Sequence, residues 1–149
     1  MSALFAFLHH VAAFTLVSAV VVEWVLMRDA PGPTSIRRLA RADAFVGLSS
    51  TAIVVIGALR VLYFEKGAAF YMHSPGFMAK MVLFIAVALV SIYPTRHFIA
   101  WSRALKAGEA AAPSPSAIAC VRRLLHLELA GVVLILFAAA LMARGIGNW

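Results

Sequence analysis

His9, His10, Glu23, Asp43, Lys80 and Glu128 lie within or at the edges of stretches that are otherwise almost wholly apolar. Ionisable groups at such positions are costly, and they persist where they are paired, ligated or used to move protons. Two chemistries suit this set. Neutral imidazole is an axial ligand for haem iron, and facing helices of a bundle can hold a porphyrin between them. Carboxyl groups and imidazoles inside a membrane can also relay protons. For the first chemistry the expected ligand is His9, which would take the iron, with His10 beside it and Arg60 and Lys80 as a second ligand or as propionate anchors. His97, next to Arg96, offers a further imidazole near the other end. For the second chemistry the expected groups are Glu23, Asp43, His97 and Glu128. His73 falls in a loop and is expected to be solvated. Phosphate loops, nucleophile elbows and zinc-helix motifs are not found, and the methionines show no paired Met-x-Met spacing for copper.

The elements that carry these residues follow from hydropathy. The 149-residue chain is 64% hydrophobic and 13% charged, with a mean hydropathy of +0.96. A soluble domain is usually about 45–50% apolar and about 25% charged. Four runs are long enough to span a bilayer, which takes about 20 apolar residues: roughly 3–27, 42–64, 77–101 and 117–143. The first lacks a preceding Lys or Arg and exceeds a signal peptide's apolar region, so it is expected to be a retained helix. Residues 28–33, with Pro31, Gly32 and Pro33, end the first helix, and Thr34 or Ser35 is placed to cap the next. Glu65-Lys66-Gly67 breaks the second helix. Tyr63, Phe64, Phe70 and Tyr71 form an expected interfacial aromatic belt. Pro94 should bend the third helix. Ala107 to Ser116 reads as a linker, and Arg144-Gly145-Ile146-Gly147 stops the fourth helix. The expected fold is all-α, one integral-membrane antiparallel four-helix bundle.

Net charge is +7. The cations flank the apolar runs, which suits anionic headgroups and not nucleic acid. Arg28, Arg37, Arg38 and Arg41 follow helix 1, and Arg96, Arg103, Lys106, Arg122 and Arg123 surround the third connection. The positive-inside rule then puts those loops in the cytoplasm and both termini on the periplasmic side of a bacterial inner membrane. Cys120 is the single cysteine, so no internal disulfide forms. Helical phase puts His9, Leu16 and Glu23 on one face. It puts Asp43, Gly47, Ser50, Val54 and Gly57 on a small-residue stripe, and Lys80, Phe84, Val87 and Ser91 on another face. Glu128 and Gly131 share a face of helix 4, with His126 turned to the rim.

Several short stretches carry a resemblance: Leu8-His9-His10-Val11-Ala12, Gly57, Ala79-Lys80-Met81, His97 and Leu127-Glu128. Through them the chain resembles a bacterial family of predicted four-helix membrane proteins of unknown function. It is more distantly similar to haem-binding membrane protoporphyrinogen IX oxidases and to copper-resistance D-type domains. Leu127-Glu128-Leu129-Ala130 stands where the oxidases carry Asn-Glu-Xaa-Pro. The resemblance implies a haem held by His9. Residues and resemblance together lead to the expectation of a haem b redox protein that exchanges electrons with quinone or a small oxidant, working as a homodimer. The alternatives are a non-catalytic accessory or assembly protein, and half of a small-molecule or metal transporter.

Overall fold

The computed structural model describes residues 2–64, 73–109 and 113–144. In them, α1 spans Ser2–Leu26, α2 Pro33–Leu59, α3 Pro75–Lys106 and α4 Pro115–Ala143. One π-helical turn, Arg60–Phe64, extends α2. The expected features at Glu65–Gly67, Phe70, Tyr71, residues 110–112 and Gly145–Gly147 fall outside the described residues. At about 1.5 Å per residue, α1 with its 25 residues is roughly 37 Å long, beyond the ~30 Å of a bilayer's hydrocarbon core. All four helices are long and apolar enough to cross a membrane.

Three of the helices begin on a proline. This corrects the expected boundaries. α2 starts at Pro33, ahead of the apolar run at 42–64, with Gly32 and not Thr34 or Ser35 at its cap. α3 starts at Pro75, not near Phe77. The reason is positional: in a helix's first turn the backbone N–H has no intrahelical acceptor, so proline loses nothing there and its fixed φ is already helical. Ser74 and Ser114 complete the device, their hydroxyls accepting from the N–H groups of Phe77 and Ala117 at 3.4 and 3.3 Å. α3 also runs past Trp101 to Lys106. It stops where Gly108 turns to φ +75° and Glu109 N–H donates back to the Ala104 carbonyl at 3.1 Å. Pro94 is buried inside α3, and the helix continues through it.

α1 packs chiefly along α2 and α3 along α4, and α2–α3 and α1–α4 contacts close the ring in chain order. The interior is uneven. At the arginine-rich end Met27, Ile36, Leu39, Phe98, Trp101, Val121 and Leu125 form one cluster drawn from all four helices or their ends. Above it lies a smaller group, Ala19, Val20 and Val46. At the opposite end only Ala12, Ser74 and Val132 are buried among the described residues. Among the described residues the buried side chains are therefore concentrated in one half of the bundle and are few around His9.

Candidate functional site

The structure sorts the ionisable residues into two layers along the bundle. His9 and Glu23 share a face of α1, and 14 residues at about 1.5 Å each place them roughly 21 Å apart.

His9 belongs to the layer with few buried neighbours among the described residues. Its ring is half-buried and lies against the bare backbone of Gly57 on α2, where an added Cβ would sit 3.5 Å from Cε1. Its Nδ1 is buried and has no hydrogen-bond partner. Arg60, which opens the π-helical turn, and Lys80, early on α3, are the cations whose charge bears on it. The Lys80 ammonium also lies 5.4 Å from the centre of the Phe77 ring. His10 behaves differently. It is exposed, and its Nδ1 is 2.6 Å from the Ala6 carbonyl of its own helix.

The second layer is acidic. Glu23 of α1 and Glu128 of α4 are each 1% exposed, and Asp43 of α2 is half-buried. The missing fourth helix contributes hydroxyls. Ser91 donates to Glu128 Oε1 at 2.9 Å, and Thr95, one turn further along α3, donates to Asp43 Oδ1 at 2.5 Å. Glu23 Oε1 and Glu128 Oε2 are buried without a partner. The acidic groups bearing on Glu23 are Glu128 and Asp43. Among the described residues no three His, Cys, Asp or Glu side chains are placed to hold one metal ion.

The backbones approach closely to make this layer. A Cβ on Gly131 would run into Cγ2 of Val87. Val87 is one turn from Ser91, and Gly131 one turn from Glu128, so the same close approach sets the Ser91–Glu128 hydrogen bond.

The expected site residues thus fall into groups. His9, Arg60 and Lys80 come together, as do Glu23, Asp43 and Glu128. His97 joins neither: its ring lies 4.5 Å from Tyr93 and 5.4 Å from Trp101, centre to centre, within the aromatic surface at the arginine-rich end. His126 sits at the exposed rim, and there it accepts from Trp24 Nε1 at 3.0 Å, while its Nδ1 faces the Arg122 carbonyl at 2.7 Å. Arg122 in turn donates through Nε to the Met27 carbonyl at 3.0 Å. Among the described residues Glu23 and Asp43 pair with no arginine; the Thr95 hydroxyl serves Asp43 instead. The sequence reading missed Thr95, although it lies four residues from Ser91 and so on the same face, and the cross-helix bond between Trp24 and His126.

His9 thus offers a half-buried imidazole whose Nδ1 has no partner among the described residues, with the charges of Arg60 and Lys80 bearing on it. His10 holds its Nδ1 to its own helix, which leaves Nε2 as its free ring nitrogen, and His97 is stacked among aromatic rings. No curated protein and no solved structure matches the chain. The family model described as predicted membrane protein (DUF2214) matches residues 1–147, and with four membrane-length helices in the fold the chain belongs to that family.

Proposed function

We propose that this chain is an integral-membrane redox protein, with His9 as axial ligand of a b-type haem and the Glu23–Asp43–Glu128 layer handling protons. The observation that carries the reading is the half-buried His9 imidazole, its Nδ1 without a hydrogen-bond partner among the described residues and the charges of Arg60 and Lys80 bearing on it. Such a haem, when bound, would supply one-electron chemistry. Arg60 and Lys80 would neutralise its propionates or, for Lys80, provide a second ligand. Ser91 and Thr95 orient two of the three carboxyl groups, leaving Glu23 Oε1 and Glu128 Oε2 as the atoms open to a proton. The electron partner would be a membrane quinone or a small oxidant. In this reading the chain is a multi-pass protein of the bacterial cytoplasmic membrane, arginine-rich loops inside and both termini outside, working as a homodimer.

The test is the absorption spectrum of the protein purified in mild detergent from cells supplied with a haem precursor. A Soret band lost in His9→Ala and kept in His73→Ala is expected. A colourless, folded protein that cannot be reconstituted with haem refutes the redox reading. In that event the two unpartnered glutamate oxygens favour the transporter half, which proton or cation flux in liposomes would reveal.

A further inference from the structure

Between α1 and α2 runs an open groove of about 450 Å³. Ser18, Val22 and Leu26 line one side, and Ala42 and Phe45 the other. With Thr15 included, the α1 stripe is roughly 16 Å long at about 1.5 Å per residue. At the arginine-rich end the groove is closed by Arg38 and Arg41. These two stand three residues apart on α2, so both guanidinium groups lie on one face. Both side chains are exposed, and neither makes a hydrogen bond or ion pair with any described residue.

An apolar slot that runs along two membrane-length helices and ends at two guanidinium groups without a described partner has the polarity of a phospholipid. We propose that it binds one anionic phospholipid, an acyl chain lying along Val22 and Phe45 and the phosphate held by Arg38 and Arg41. Guanidinium matches phosphate in a bidentate fork that lysine cannot make. The slot adds chain contact that a bare surface arginine does not offer. Free inorganic phosphate matches only the arginines and leaves the slot empty. This site is independent of His9 and of the carboxyl layer.

The experiment is native mass spectrometry of the full chain in detergent, titrated with phosphatidylglycerol or phosphatidylcholine of identical acyl chains. Phosphatidylglycerol should be retained preferentially. Arg38→Gln with Arg41→Gln should weaken it by roughly 10- to 30-fold, from the usual contribution of an arginine near an anionic surface. Ser18→Trp, which fills the slot from an exposed position, should weaken both lipids. Arg123→Gln, at an exposed arginine on α4 outside the groove, should leave binding unchanged. Equal retention of the two lipids overturns the proposal. So does a loss in Arg123→Gln as large as in the double variant, or competition by inorganic phosphate at the lipid's own concentration. Thermal midpoints of the variants separate lost binding from lost folding; a Ser18→Trp protein that keeps its midpoint and its lipid also overturns it.

Discussion

Gly131→Ala is a sharp perturbation of the acidic layer, because it acts on spacing and leaves every ionisable group in place. In a helix the change by itself is favourable by about 0.8–1.0 kcal/mol, an upper bound here since that scale comes from water. Against it stands the new methyl, which meets Cγ2 of Val87. Valine on a helix has one strongly preferred rotamer, so it cannot swing aside cheaply, and overpacking of this kind costs about 1–3 kcal/mol. The balance is a net loss of about 1 kcal/mol, or some 2–4 °C in thermal midpoint for a chain of this size. Moving α3 from α4 should also lengthen the bond from Ser91 to Glu128. Val87→Ala removes the obstructing methyl, so the double variant should recover most of the loss, with a coupling energy of about 1–2 kcal/mol. The assay is thermal unfolding of the four proteins of the cycle in one detergent. A stabilised Gly131→Ala protein, or additive effects, would show that these helices are not in the contact on which the layer depends.

Other expectations follow from single bonds. Thr95→Val strips Asp43 Oδ1 of its donor and should cost about 1–2 kcal/mol in unfolding experiments, whereas Thr95→Ser should be near neutral. Glu128→Gln keeps an acceptor for Ser91, so the fold should survive; any proton movement measured in liposomes should be lost, and unchanged movement would remove Glu128 from the path. Ser114→Ala takes away the cap of α4 and should cost about 1 kcal/mol, read as a lowered midpoint. His126→Leu leaves Trp24 Nε1 without its acceptor; tryptophan emission should shift in that variant and stay put in His126→Gln.

Hydropathy made four spans legible because lipid-facing helices must be apolar nearly all round, a signal no local detail can hide. Boundaries were less legible. Pro33, Pro75 and Pro115 signal either a break or a first turn, and the choice depends on which side of the proline the chain coils. Seven-residue spacing brought out the His9–Glu23 face, and the Val87–Ser91 face proved to be the one that meets α4. Polarity alone could not separate His9 from His10, since which of two adjacent rings turns inward is decided by the neighbour it meets, here the bare Gly57 backbone. His97 was equally opaque: its stacking on Tyr93 and Trp101 depends on rotamers. Thr95 was overlooked because a hydroxyl on a greasy helix usually bonds its own backbone, as Thr15, Ser50 and Thr51 do here.

The apolar cluster of Met27, Phe98, Trp101 and Leu125 lies at the end of the bundle whose sequence carries Arg28, Arg96, Arg103 and Arg122, the end that the positive-inside reading puts at the headgroups. Oil gives leucine no reason to prefer another leucine over a lipid tail, whereas water does. The strongest cohesion in this molecule is therefore exerted at its wet rim, and membrane thickness becomes a control on it. A bilayer thick enough to swallow that rim would withdraw the water that squeezes the four helix ends together, and a thinner one would restore it.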